Sequence, residues 1–504
     1  MNIAILLEMA ADAFGERIAV TCADRSVSYA QLRAAAQAAA QHLHGGTFAH
    51  LALLESDGLA AAVALFAAAY AGVPYVPLSY RLTGGELTER LERIAPAWLV
   101  ADPAQLARLK LPAGIACGDA QTLAGGGRGD GSGGGGGAAP SAPPDTPGAV
   151  AVQLFTSGTS GAPKAALLRH EHLMSYILGT VEFGAAGHDE AALVAVPPYH
   201  IAGIAAVLSS TYAGRRIVML PAFEPSAWLE LIARERISHA FLVPTMLVRI
   251  LDALGQPGAP ALPSLRAIAY GGGRMPLNVI ERALAAFPDV DFTNAYGLTE
   301  TSATICLLTP EDHRAAASAR DPQLRRRLAS VGRPLATVEI EVRDESGRVL
   351  GPQVPGLIFV RGAQVAGEYR GAGRVLDSGG WFATQDRGWR DADGYLFLEG
   401  RADDVIVRGG ENISPGEIEE VLLAHPAVAD AVVVAVPSEE WGEAAAAAVV
   451  LRSGCAVDAA TLREWVRARL RSSRVPERVV FKGELPYNDM GKVLRRAVRQ
   501  ELLG

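Results

Sequence analysis

Four stretches of this sequence concentrate residues that could do chemistry. The first, Phe155-Thr156-Ser157-Gly158-Thr159-Ser160-Gly161-Ala162-Pro163-Lys164, follows the apolar run AVQL. Its glycines and small hydroxyl residues let backbone N–H groups and hydroxyls close around phosphate oxygens, and Lys164 supplies a positive charge. The GK[ST] ending of a Walker A loop is missing, and alone the stretch reads as a plain turn as readily as a phosphate cradle. The second, Asn294-Ala295-Tyr296-Gly297-Leu298-Thr299-Glu300-Thr301, puts an aromatic ring, a hydroxyl and a carboxylate close together, enough to stack a base, bond a phosphate and hold Mg²⁺. By itself it reads slightly better as a surface turn with a Thr-Glu pair at a helix N-terminus. The third runs from Gly380 through Asp386 to Trp389, then through Gly394-Tyr395 and Gly400-Arg401-Ala402-Asp403-Asp404 to Arg408–Ile413. The fourth, Leu485–Val493, contains Lys492, which its own neighbourhood marks only as a solvated charge.

The elements that must hold these stretches are legible from periodicity. Short apolar runs (HLALLES, VPYVPL, WLVADP, AVQLFTS, ALVAVPP, RIVMLP, HAFLVP, LRAIAYGG) alternate with helical patterns such as GELTERLERI and AWLELIARERI, which predicts parallel βαβ units and an α/β sheet. The N-terminus reads as an amphipathic helix and not a signal peptide, because no basic region precedes its apolar residues and Glu8 and Asp12 interrupt them at helical spacing. The charge-free run from Gly58 to Tyr80 is long enough to span a bilayer. Its alanines, Gly72, Pro74 and the ending VPYVPL predict instead a buried helix turning into a buried strand. Residues 125–147, rich in Gly, Ser and Pro, cannot bury a core and are expected to form a mobile surface connection within one domain. From about Val338 the text becomes β-rich, and after Asp403 and Asp404 comes a final α+β stretch.

A chain of 504 residues exceeds what one core fills, so at least two domains are expected. Half of the residues are hydrophobic and 20% charged, the profile of a globular protein, and the net charge of -8 gives no footprint for nucleic acid. Cys22, Cys117, Cys306 and Cys455 are scattered without CxxC spacing, which fits a reducing cytoplasm better than a disulfide framework or a metal site.

In this order and at these separations, the four stretches resemble the adenylate-forming superfamily of acyl-CoA synthetases, adenylation domains and luciferases, and most of all its acyl-CoA synthetase and aryl-CoA ligase branch. The resemblance spans nearly the whole chain. It implies an α/β fold with a large multi-subdomain N-terminal domain, residues 1–402, and a small mobile α+β C-terminal domain, residues 403–504. It also implies a carboxylic acid:CoA ligase using ATP, Mg²⁺ and coenzyme A. Carried over, Thr156, Ser157, Gly158, Thr159, Ser160, Gly161 and Lys164 belong to the phosphate loop, and Gly271, Gly272 and Gly273 with Asn294, Ala295, Tyr296 and Gly297 cradle the adenine. Thr299 bonds the α-phosphate, Glu300 binds Mg²⁺, Asp386 takes the ribose hydroxyls with Arg401 nearby, Lys492 is the catalytic lysine of adenylation, and Asp403 falls at the hinge. Two positions depart from the family pattern. Gln385 stands where the ribose motif TGDxG has its first glycine, and Ser472-Ser473-Arg474-Val475-Pro476 stands where many relatives carry a Tyr/Phe-Lys pair.

The resemblance extends to the acid and the thiol. Pro197-Pro198-Tyr199-His200-Ile201-Ala202-Gly203 resembles the P-x-[FY]-H-x-x-G segment whose histidine lies against the acid. Amino-acid adenylation domains usually carry an aspartate just after it. No acidic residue occurs between Tyr199 and Pro221, which argues against an α-amino acid, whose ammonium would be buried unpaired. Phe241, Ala295, Gly297, Ser302 and Ala303 match the walls of the acid pocket and suit a compact aromatic, alicyclic or medium-chain acid, although Phe241 reads almost as well as core. Arg274 reads as a solvated arginine, with a second substrate carboxylate as the alternative. Arg81, Trp441 and Arg474 match coenzyme A contacts, and Gly409 and Gly410 match the loop along the pantetheine arm. The alternatives are a stand-alone adenylation enzyme that loads a carrier protein, and a degenerate relative that only senses nucleotide or acyl-adenylate.

Overall fold

The computed structural model of the chain describes residues 1–120, 123, 142–156, 164–258, 260–488 and 493–503. Each apolar run read as a strand forms one, and together they divide between two sheets. In one, nine strands lie in the order 333–334, 303–308, 291–298, 267–271, 239–242, 191–194, 216–219, 18–22 and 25–28. In the other, eight lie in the order 373–374, 368–369, 164–169, 150–156, 75–77, 50–54, 97–101 and 115–118. The central neighbours are parallel, as with Ala267–Gly271 beside Asp291–Leu298 and His50–Leu54 beside Ala97–Ala101. Parallel strands are covered on both faces, which explains why they read as continuous apolar runs and not as alternations.

The helix Gly58–Ala71 is buried almost throughout. Its alanines admit close neighbours on every side, and the chain then enters the buried strand Tyr75–Pro77. Among the described residues no helix is long and apolar enough to cross a membrane. The first helix, Ala4–Phe14, buries Leu6, Leu7 and Ala10 and turns Glu8 outward to Arg33 at 3.0 Å. One apolar core gathers around these two helices and a second around Trp228, Tyr270 and Phe292 in the nine-stranded sheet.

From Val338 four antiparallel strands, 338–343, 356–362, 382–390 and 396–401, form a third sheet. The first of them alternates buried and exposed residues, as one-faced burial requires. After the short turn Ala402–Asp404 the chain builds a separate five-stranded sheet centred on Gly442–Leu451. Helices Pro415–Leu423 and Ala459–Arg467 cover one face and Arg495–Leu503 the other, so the alanine-rich central strand is buried between two cores. All four cysteines are free thiols. Cys22 and Cys306 are buried, whereas Cys117 on the edge strand Ile115–Gly118 and Cys455 in a turn of the last unit are exposed.

Candidate active site

A cleft of about 730 Å³ opens at the carboxyl ends of strands Ala267–Gly271 and Asp291–Leu298. This is where open α/β sheets present ligands. Gly272, Gly273 and Asn294–Gly297 line it from the nine-stranded sheet, and Asp386 and Arg401 from the third sheet. The last unit closes it with Gly416, Glu420, Asn488, Val493 and Arg495.

Asp386 and Arg401 face each other across paired strands, and Arg401 Nη1 donates to Asp386 Oδ1 at 3.2 Å and to the Thr384 carbonyl at 2.9 Å. The second carboxylate oxygen accepts from the Tyr296 hydroxyl at 2.6 Å. Tyr296 is therefore less an open stacking platform than a nearly buried strut that aims Asp386, and burial first, then the neighbouring carboxylate, raises its phenol well above the ordinary range. Asn294, also buried, donates to the Ser330 carbonyl at 3.1 Å. Gln385 takes a left-handed angle, with φ 63, a conformation that favours glycine, and the next amide, Asp386 N–H, reaches Thr384 Oγ1 at 3.1 Å.

Glu300 lies in the single turn Thr299–Thr301. Its carboxylate accepts from the Tyr369 hydroxyl at 2.6 Å, and its carbonyl from the Ala366 and Gly367 amides at 2.9 and 3.2 Å. Tyr369 pairs with Ala166 on the strand that begins at Lys164, and Lys164 Nζ stands 5.4 Å from the Tyr369 ring centre. Two sheets thus bring a lysine and a carboxylate to one aromatic ring. Thr156 and Lys164 sit opposite each other at the end of an antiparallel pair. Ser157, Gly158, Thr159, Ser160, Gly161 and Lys492 lie outside the described residues. The flanks of Lys492, Asn488 and Val493, are on the cleft.

The expected acid walls also meet. A Cβ added to Gly271 would stand 2.2 Å from the Ala295 carbonyl oxygen and 3.6 Å from the Phe241 ring. One added to Gly297 would stand 1.6 Å from the Ala303 carbonyl oxygen, so strand packing alone already requires glycine there. Ser302 and Ala303 take positive φ values of 58 and 106, and the buried Ser302 hydroxyl has no hydrogen-bond partner among the described residues. His200 precedes helix Ile201–Ala213 with its ring centre 4.7 Å from that of Tyr199, whose ring meets Tyr80 edge-on.

Of the residues expected to meet coenzyme A, Arg81 lines the cleft, whereas Gly409, Gly410, Trp441 and Arg474 do not. Gly409 and Gly410 form a positive-φ turn, with Gly409 N–H on the Trp441 carbonyl at 2.9 Å. Arg474 is held by Glu411 and by Glu417 at 3.3 Å. Sequence reasoning missed Tyr369 and the buried Gln364, which donates to the Thr301 and Thr304 carbonyls at 3.1 and 2.7 Å and fixes the Glu300 turn. It also left Arg274 as a solvated arginine. The structure pairs it with Glu420 of the last unit at 2.5 Å.

This architecture defines an adenylate-forming enzyme: the family model described as AMP-binding enzyme matches residues 7–370 and the AMP-binding enzyme C-terminal domain matches residues 417–492, so the chain belongs to that family. Among its relatives, the fatty acid–[acyl-carrier-protein] ligase ScoC of Streptomyces coeruleorubidus is 32% identical over 96% of this chain and 93% of its own. The feruloyl-CoA synthase of an Amycolatopsis species is 32% identical over 86% of this chain and 85% of its own. The o-succinylbenzoate CoA synthetase MenE of Bacillus subtilis, solved with its acyl-adenylate intermediate, superposes with a TM-score of 0.82 at 28% identity, covering 98% of this chain and 97% of that one.

Proposed function

We propose that this protein is an ATP-dependent carboxylic acid:CoA ligase. A carboxylate oxygen of the acid attacks the α-phosphorus of ATP, the bond to pyrophosphate breaks, and an acyl-adenylate forms. The thiol sulfur of coenzyme A then attacks the acyl carbon, loses its proton to solvent, and expels AMP. A carboxylate is a poor electrophile, and the adenylate gives it a leaving group.

The observation that carries this reading is the cleft that Gly272, Gly273 and Asn294–Gly297 share with Asp386 and Arg401. Asp386, held by Arg401 and Tyr296, is aimed to accept from ribose hydroxyls. Glu300 and Lys164 flank Tyr369 where phosphates would lie. Asn488 and Val493, which flank Lys492 in the chain, line the cleft from the last unit. A lysine there positions two anions, the carboxylate and the phosphate, and offsets charge that grows in the transition state. Among the described residues no cluster of three or more His, Cys, Asp or Glu stands ready for a metal. Glu300 therefore fits a Mg²⁺ that draws its remaining ligands from nucleotide phosphates and water, where it would neutralise phosphate charge.

We place the boundary between the domains at residues 402/403, with Asp403 as the pivot, and assign the acid pocket to His200, Phe241, Ala295, Gly297, Ser302 and Ala303. The absence of an acidic residue after Tyr199 supports a compact aromatic, alicyclic or medium-chain acid over an α-amino acid. Arg81, Gly409, Gly410, Trp441 and Arg474 are assigned to coenzyme A in a second pose of the small domain, which accounts for their separation from the cleft in this one. The similarity to ScoC supports a second reading, an acyl carrier protein as acceptor. A panel of carboxylic acids read by pyrophosphate release, alone and with coenzyme A or carrier proteins, decides between them. Acid-dependent release followed by thioester formation on free coenzyme A is expected. Transfer only to a carrier protein would replace the acceptor, and no release with any acid would overturn the enzyme assignment.

A further inference from the structure

The last unit meets the large one through the helix Pro415–Leu423. Ser414 Oγ, just before it, donates to the Glu399 carbonyl at 2.6 Å. Along the helix Glu420 accepts from Arg274 Nη2 at 2.5 Å, and at its end the Leu423 carbonyl accepts from Asn278 Nδ2 at 3.5 Å. Gly416 lies between these contacts. A Cβ built there would stand 2.2 Å from Arg274 Nη1 and 3.1 Å from the Glu399 carbonyl oxygen, and every neighbour it would crowd belongs to the large unit. The pose these contacts hold is the one that puts Asn488 and Val493 on the cleft.

We propose that Gly416, Arg274 and Glu420 form the seat that sets the docked pose of the small unit for adenylation. They act as positioning residues on the wall of the cleft, by holding the unit whose Asn488 and Val493 line it. The inference rests on the two-step reading above. Rotation into a second pose must part Gly416 and Glu420 from Arg274, because the groups belong to different units. An ion pair as exposed as this one changes an equilibrium by about fivefold at most. The space at Gly416 belongs to the same seat, because a methyl group there displaces the Arg274 guanidinium from Glu420 and crowds the Glu399 carbonyl oxygen.

The test uses the full-length enzyme and an acid it activates. Gly416→Ala improves helix propensity and meets nothing inside its own unit, so the protein should melt no lower than the parent. Acid-dependent pyrophosphate release should fall by about fivefold, the scale of the exposed ion pair that the methyl group displaces, while conversion of supplied acyl-adenylate to thioester stays within about twofold, since a rate follows the population of the competent pose. Arg274→Glu and Glu420→Arg should each lower pyrophosphate release by about fivefold and together restore most of it. Equal loss of both half-reactions in Gly416→Ala, or loss of neither, overturns the seat. A parent enzyme that activates no acid overturns the two-step reading instead, and the two failures are thus distinct.

Discussion

Gln385 holds a backbone angle that glycine would take without steric cost. An L-residue in the left-handed region loses roughly 1 kcal/mol, and the exposed Gln385 side chain offers no buried packing in return. Gln385→Gly should therefore keep full activity and leave the urea midpoint unchanged or higher. Gln385→Val, β-branched at positive φ, should lower stability by about 1–2 kcal/mol and raise the KM for ATP by tilting Asp386. A Gly variant less stable than the parent would show that Gln385 is not strained. Tyr296→Phe removes the hydroxyl that aims Asp386, and a lost hydrogen bond to a buried carboxylate costs about 1.5–3 kcal/mol. The KM for ATP should rise about tenfold or more, with little change in the KM for the acid. Lys492→Ala should lower adenylation by about two orders of magnitude, the scale of losing a charge stabiliser in a transition state, yet spare thioester formation from supplied adenylate. Equal loss of both steps would remove Lys492 from the role assigned to it. At this scale the sequence was most informative about types and least about partners. Asp386, Glu300 and Arg401 could be singled out from local motifs. Tyr369, Gln364 and the Arg274–Glu420 pair could not, because each acts on a residue far along the chain with no local pattern linking the two.

Elements were legible where burial imposes a period. The parallel strands read as apolar runs because both their faces are covered, and the alanine-rich helix Gly58–Ala71 was separable from a membrane span by its Gly and Pro ending. The docking of helix Pro415–Leu423 was not legible, since a glycine at a helix start looks like a weak helix former until the arginine above it is seen. The turn Ala402–Asp404 joins two sheets and is short. In a 3-10 turn φ lies near the value that proline imposes, so the substitution fits the pose seen here. Asp403→Pro should leave adenylation within about threefold and slow thioester formation by about a hundredfold or more, because φ fixed near −65° hinders rotation. Asp403→Ala should be much milder. If alanine proves as harmful as proline, the carboxylate and not the hinge matters there.

Over the whole molecule, several histidines are buried in their neutral form. His170, whose Nδ1 accepts the Ile3 amide at 3.3 Å, and the half-buried His239 are each lowered to about 4, chiefly by loss of hydration. The unfolded chain binds these protons near pH 6.5 and the folded one only near pH 4, so the unfolded state holds more protons between those values. Stability should be fully present above about pH 6.5 and fall as the pH drops toward about 4. The melting temperature across that window checks this, and His170→Gln should flatten the slope. A melting temperature independent of pH there would contradict neutral burial.

The four cysteines carry a consequence for observing the rotation directly. Cys306 is completely enclosed and its thiol pushed far above its ordinary range, and Cys22 is buried as well. A thiolate-directed dye reacts where the sulfur is accessible, so it will favour Cys117 and Cys455. One sits on the outermost strand of the eight-stranded sheet and the other on the last unit. The native chain thus comes with a donor and an acceptor position on opposite sides of the proposed pivot, and a change in energy transfer between them during a single turnover would report the proposed rotation without any engineered residue.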